Sequence, residues 1–348
     1  DRSFHINGAA FANYPQDTFC QDITVVDSKV KSVRYDGRRI ASVMVERGPY
    51  DIKPKEIYGD LYIDCTGQES VLSGSLSKWV DFDTILTDSA LVMKTEYLNR
   101  KREMVPYTNA KAMSAGWQWT IPTYDFVSRG YVYSSKFISD EEAWEEFGYD
   151  DAKKITFRNG RHERAWTGNC VSIGLSYGFI EPLESTSLFN THHGILALMD
   201  ILRVEKLPGQ FARDRFNHDL SEHMDGWREF VEAHYYYSHR RDTPFWRAVT
   251  DEVEYPQEGS HDTVRHMMVS GDPIPTGHLP IAFILAGSGY TNINKRHADY
   301  FQTPSLLQRK VVDDWHKQYE KRKRLAESMP YMCDYLSGTY NYEVKEDV

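Results

Sequence analysis

Two repeat distances divide this chain, and the change between them constrains what it can build. Residues 22–47 alternate apolar and polar side chains (ITVVDSKVKSV, then RIASVMVE), with Asp36-Gly37 between the runs. A period of two places successive side chains on opposite faces of a strand, and Asp-Gly favours a tight turn, so this segment predicts a β-hairpin. DLYIDCTG (60–67) and YVYSSKF (131–137) read as further strands, the first ending in a small-residue turn. Ser139-Asp140 opens a helix with Glu141 and Glu142 in its first turn, where carboxylates complement the helix dipole. From about residue 185 the spacing becomes helical. Leu188, Thr191, Ile195, Leu198 and Leu202 mark one face, and Leu207-Pro208-Gly209 ends the run. Helical stretches follow at 210–240 and 302–328, the basic cluster of the second being a solvated face. The expectation is an α/β protein, with mixed α/β structure over 1–200 and a mostly helical module over 201–348.

A chain of 348 residues with 41% hydrophobic and 26% charged side chains has ample material for a globular core. Its net charge of −10 argues against general nucleic-acid binding, which depends on Lys and Arg neutralising phosphates. Cys20, Cys65, Cys170 and Cys333 are widely spaced, with no C-x-x-C pair, so neither a zinc site nor a disulfide scaffold is expected. No apolar run approaches the roughly 18–20 residues that span a bilayer, and DRSFHINGAAF lacks the features of a secretion signal. These readings place the protein in a reducing, cytoplasm-like compartment, away from membranes. Aromatic residues reach 14%, enough for flat-walled pockets as well as an aromatic core.

GFIEPLESTSLF (178–189) carries the most chemistry. Pro182 stops a helix from entering, and Ser185 or Thr186 is placed to cap the helix that follows. The first N–H groups of that helix lack partners and carry partial positive charge, a setting for a small anion or an anionic cofactor edge. Glu184 beside such a pocket makes sense if the anion is first oxidised to an electrophile that the carboxylate then serves. A plain cap with an exposed glutamate is the alternative. GWQWTIP (116–122) sets Trp117 and Trp119 on the same side of a strand that Pro122 terminates; burial of two indoles would explain it equally. PIAFILAGSGYTN (280–292) looks like a dinucleotide loop, but the third glycine and the acidic residue are missing, so a packed turn is expected. His192-His193 lack an acidic or Cys partner at metal-ligand spacing, and no metal is expected.

Taken together, these stretches resemble the flavin-dependent halogenases, the tryptophan-halogenase-like family. W-x-W-x-I-P stands as Trp117, Trp119, Ile121 and Pro122, after PYTNAKAMSAG. F-[VL]-E-P-L-E-S-T-G-I stands as Phe179 to Leu188. FHINGAAFANY (4–14), GDLYIDCTG (59–67), YVYSSKF, HYYYSHRRDTPFWR (234–247) and LAGSGY (285–290) match in the same order, to roughly residue 330. The resemblance implies an FAD-binding module of the glutathione-reductase/hydroxylase type plus a mostly helical C-terminal substrate module. It implies that FADH2 from a separate flavin reductase, O2 and a halide ion yield hypohalous acid, which crosses a tunnel to a lysine beside an aromatic substrate. Glu184 would position the electrophile and stabilise or deprotonate the cationic ring, with the Ser185 carbonyl near the substrate. Thr186 and Ser187 would offer amides to the halide, and Leu188 would face the flavin. Trp117 and Trp119 would screen the flavin from substrate. Val30 and Gly67 would lie toward the adenine side of FAD.

Two departures from the family pattern stand out. Ser187 replaces the usual glycine, which leads to an expected tolerance for bromide or iodide over chloride. The family's G-x-G-x-x-G loop and catalytic lysine precede the segment that here begins at residue 4, so both are expected in a longer protein of which this chain is a portion. An indole, phenol or other electron-rich heteroaromatic is the expected substrate, rather than a carrier-bound one. Association into a homo-oligomer is left open. A flavin-dependent aromatic monooxygenase would add oxygen instead of halogen, and a degenerate aromatic-ligand binding protein would do no redox chemistry.

Overall fold

The computed structural model describes residues 5, 7–46, 55–206, 208–255, 260–270, 279–289 and 304–338. Phe4, Ile6, Leu207, the 290–292 end of the Gly-x-Gly segment and most of the C-terminal tail lie outside the described residues. Helix α1 (Gly8–Phe19) precedes a hairpin of β1 (Val30–Asp36) and β2 (Arg39–Val45). The two strands pair antiparallel, and Gly37 turns between them at φ 57°. The hairpin is therefore as expected at its turn and shorter than expected at its start. Among the described residues, 22–28 pair with no strand; the ladder runs out at Lys29, whose carbonyl accepts the Glu46 N–H at 2.8 Å. Strand β3 (Lys55–Ile57) completes this three-stranded sheet.

Strand β4 (Tyr62–Asp64) lies under the small-residue turn of DLYIDCTG. Both Asp64 oxygens are taken up. Oδ1 accepts from the Thr66 N–H at 3.0 Å and hydroxyl at 2.7 Å. Oδ2 accepts from the N–H groups of Leu72 and Ser73 at 2.9 and 2.8 Å and from the Ser73 hydroxyl at 2.7 Å. Burial alone would raise the Asp64 pKa, but these donors outweigh it and hold the carboxyl below its ordinary value. A depressed folded pKa stabilises above the unfolded value of about 3.9 and loses that contribution as pH falls through the folded pKa. Asp64→Asn, which puts N–H donors against donors, is expected to cost about 2–3 kcal/mol at pH 7. The gap from wild type narrows below about pH 4, read by urea unfolding at both pH values.

Strands β5 (Trp79–Asp81) and β6 (Ser89–Thr95), short helix α2 (Arg100–Glu103), then β7 (Asn109–Met113), β8 (Gly116–Pro122) and β9 (Val127–Tyr133) follow. Of these, β6 to β9 form the main sheet with β10 (Lys153–Thr156), five strands in the order β10-β6-β9-β8-β7, all antiparallel. The predicted strand 131–137 stops at Tyr133. The Asp88 carboxylate accepts from the Ser135 N–H at 2.9 Å and from its hydroxyl, and so fixes a turn there. Helix α3 (Asp140–Phe147) opens on a complete capping box between Ser139 and Glu142. Strands β11 (Gly160–His162), β12 (Trp166–Thr167), β13 (Cys170–Ser172) and β14 (Gly178–Phe179) build two small sheets with β5 and β4.

The helical half follows the final short strand. Helix α4 (Thr186–Val204) packs on α5 (Gln210–Tyr236), and α6 (Pro244–Arg247) runs into one irregular turn. Helices α7 (Ser260–Ser270), α8 (Leu279–Gly287), α9 (Ser305–Ser328) and α10 (Met332–Leu336) complete the described chain. The apolar run before Gly-x-Gly is α8, with Ile281, Ala282 and Leu285 buried beside Val264 and Ala233. Gly289 turns the chain at φ 79°. α9 buries no residue, as its basic cluster predicts. The principal core joins Trp117, Val132 and Trp166 to Phe216, Tyr235, Phe245 and Trp246. All four cysteines are free thiols.

Candidate active site

β8 sits between β7 and β9, and both of its indoles lie on one face with ring centroids 5.9 Å apart. Trp117 is buried. Trp119 reaches across its neighbour at Gly130, its register partner, and its N–H donates to Ser128 Oγ at 3.3 Å. A Cβ on Gly130 would lie 2.0 Å from the Trp119 ring. Glycine is therefore what leaves the slot for this indole. Gly130→Ala is expected to push Trp119 off its site at a cost of about 1–3 kcal/mol, visible as a lower urea midpoint and altered tryptophan fluorescence. Ile121 is half-buried, and Pro122 ends the pairing opposite Val127 with its carbonyl 2.7 Å from His5 Nδ1.

The two glutamates of FIEPLES part company at Pro182. Glu181 is fully buried. Its N–H donates to Asn159 Oδ1 at 2.8 Å, and Asn159 in turn donates to the Thr87 carbonyl at 2.6 Å. The Glu181 carboxyl collects the Trp117 indole N–H at 3.2 Å, the Tyr235 hydroxyl at 2.6 Å and the Thr87 hydroxyl. Burial pushes its pKa up, against the pull of those hydrogen bonds and of His234 nearby. Nothing local in the sequence marks Glu181: its position between Ile180 and Pro182 gives no sign of partners so far away in the chain. Residues 182–184 then form a tight turn that carries Glu184 to the surface. There Glu184 Oε1 lies 3.0 Å from His234 Nε2 on α5.

Ser185 takes the left-handed conformation at φ 55°, one of two non-glycine residues to do so among those described. The predicted cap is not made: Ser185 occupies the N-cap position, but its side chain makes no capping hydrogen bond. A capping side chain needs extended backbone at that position, and the left-handed turn removes it. The Ser185 carbonyl accepts the Leu188 N–H at 3.3 Å. The Thr186 and Ser187 N–H groups open the helix, where no carbonyl of the helix can reach them. Thr186 Oγ1 and Ser187 Oγ are buried without a hydrogen-bond partner. Unpaired amides and orphaned hydroxyls at a helix start fit a small anion.

Leu188 is 68% exposed and Phe189 53%, so the residue expected against a flavin ring presents an open apolar surface. The predicted face of α4 is corrected by rotation. Gly194 and Leu198 face the core, Gly194 lying against Ile173 and Leu220, while Ile195 is exposed. The helix ends at Val204, before the expected Pro208-Gly209, and Glu205 then accepts the Gly209 N–H. Val30 is half-buried against the core that contains Tyr62, and β4 leads from Tyr62 toward Gly67. Gly67, at φ 76°, has open space where a side chain would stand. His193 has the acidic partner that its spacing hid: Asp219 of α5, 3.0 Å away, with His223 stacked at 4.1 Å. No group of three metal-ligating side chains exists among the described residues, nor is any described helix long and apolar enough to cross a membrane.

The tryptophan halogenase family profile matches residues 1–279. Tryptophan 7-halogenase RebH from Lentzea aerocolonigenes is 36% identical over 235 residues, 64% of this chain and 43% of that protein. The chain thus spans under half the length of this relative. The crystal structure of tryptophan 6-halogenase SttH from Streptomyces toxytricini superposes with a TM-score of 0.82 at 28% identity, covering 96% of this chain and 67% of that one. BrvH, a flavin-dependent halogenase from Brevundimonas sp. BAL3, gives a TM-score of 0.81 at 26% identity, covering 96% and 69%.

Proposed function

This chain belongs to the tryptophan halogenase family, and on that premise we propose that it serves FADH2- and O2-dependent halogenation of an electron-rich aromatic small molecule, of indole, phenol or heteroaromatic type. A separate flavin reductase would supply FADH2. The observation that carries the reading is the helix start at 186. Its N–H groups and the orphaned hydroxyls of Thr186 and Ser187 support a small anion as the ligand of that helix start. Two residues earlier, Glu184 is held by His234.

In this reading Leu188 offers its apolar surface to the flavin, whose reduced form with O2 supplies the oxidising equivalent for halide. Val30 and Gly67 would lie toward the adenine end. Thr186 and Ser187 bind the halide through their amides. Trp117 and Trp119 form the wall that keeps aromatic substrate from the flavin; Trp117 is pinned by Glu181 and Trp119 by the Gly130 slot. Glu184 orients the halogenating species and takes the ring proton, with the Ser185 carbonyl beside the substrate. The Ser187 side chain sits where the halide would approach and biases the site toward bromide or iodide. Incubation of the full-length protein with a flavin reductase, bromide and a panel of indoles and phenols tests the reading. Mass spectrometry should show ring hydrogen replaced by bromine; an added oxygen would point to a monooxygenase, and no change in mass to a binding protein.

A further inference from the structure

The strongest unexplained contact in the site is between Glu184 and the imidazole of His234. His234 Nδ1 lies 2.9 Å from the Phe230 carbonyl, and His234 Nε2 lies 3.0 Å from Glu184 Oε1. A carbonyl oxygen only accepts, so Nδ1 must carry a proton. A neutral ring would then aim a lone pair at a carboxylate. One proton must therefore occupy the Nε2–Oε1 contact, and imidazole is the stronger base of the two in water. Around the ring stand the edge of Phe230 at 5.0 Å and the buried carboxyl of Glu181. The His234 side chain is 23% exposed and so has a path to solvent.

We infer that Glu184 and His234 form a one-proton dyad, in which His234 holds Glu184 ionised and passes to water the proton that Glu184 takes from the halogenated ring. The inference rests on the proposed role of Glu184 as the proton acceptor. The ring C–H bond breaks, its electron pair restores the aromatic system, and the proton joins the free carboxylate oxygen. The dyad then holds one proton more than at rest. The imidazolium releases one to water, and the remaining proton returns to the Nε2–Oε1 contact. His234 is thus a positioning residue that acts through Glu184.

Nitrogen NMR of the imidazoles in the full-length protein reads the resting state directly. Both ring nitrogens of His234 are expected to be protonated in wild type, and Glu184→Gln is expected to return the ring to its neutral form. A neutral His234 in wild type would overturn the dyad. Turnover is measured with bromide and with ordinary or ring-perdeuterated indole and phenol. His234→Phe and His234→Gln are each expected to lower kcat about tenfold or more with KM nearly unchanged. Both should also expose a primary isotope effect that wild type lacks. If either folded variant turns over at the wild-type rate without an isotope effect, the release step is wrong while the halogenase reading stands. If wild type brominates neither compound but the NMR result holds, the dyad survives and the halogenase reading fails.

Discussion

Glu184→Gln is expected to lower aromatic halogenation by about a hundredfold to ten-thousandfold while leaving the fold intact. Glutamine keeps the length of the side chain and can still meet His234, but it cannot accept a proton. Glu184 is on the surface side of its turn, with its contact to His234 made across about 50 residues of sequence. Little packing is lost with it, so thermal midpoint and substrate KM should hardly move. A single-turnover assay with prereduced flavin, read by product mass, separates the chemical step from flavin supply. Wild-type turnover in this variant would remove Glu184 from the chemistry altogether.

Glu181→Leu should act on stability instead. The Trp117, Tyr235 and Thr87 donors would face an apolar side chain in a fully buried setting. Buried donors without partners cost about 1–3 kcal/mol each, so a total loss of about 3–5 kcal/mol is expected, with partial relaxation included. Glu181→Gln keeps acceptor and shape and should stay within about 1 kcal/mol of wild type near pH 5. The sign with pH follows from the raised folded pKa. A group of this kind stabilises fully below its unfolded pKa, about 4.3, and loses that contribution as pH rises through the folded value. The glutamine variant does not titrate there. It should therefore gain on wild type in urea unfolding as pH rises above the unfolded value of about 4.3; a gap independent of pH would mean that burial does not raise the Glu181 pKa.

Much of the local structure around the proposed site was legible because its residues are close in sequence. GWQWTIP is a single strand, and GFIEPLESTSLF runs from β14 through one tight turn into the start of α4. The capping box at Ser139 and the Asp36-Gly37 turn are similarly local. The division of labour between Glu181 and Glu184 was not legible. Glu181 is defined by Thr87, Trp117 and Tyr235, which lie 94, 64 and 54 residues away in sequence. His234 was hidden for the same reason. The buried face of α4 was misjudged because apolar residues occur on every side of that helix, among them Leu188, Phe189, Leu196, Leu198 and Met199. Periodicity cannot select a stripe where no polar face opposes it. The absent cap at Ser185 depends on a backbone angle that serine rarely adopts, so residue type pointed the wrong way.

The proposed halogenation stands or falls with a halide gathered at the start of α4. Crystals of the full-length protein grown in bromide, measured at the bromine absorption edge, test it most directly. The expected result is an anomalous peak within hydrogen-bonding reach of the Thr186 and Ser187 N–H groups, lost when chloride-free, bromide-free medium is used. Data of the same quality with no peak there, and Thr186 Oγ1 bonded to protein instead, would contradict it.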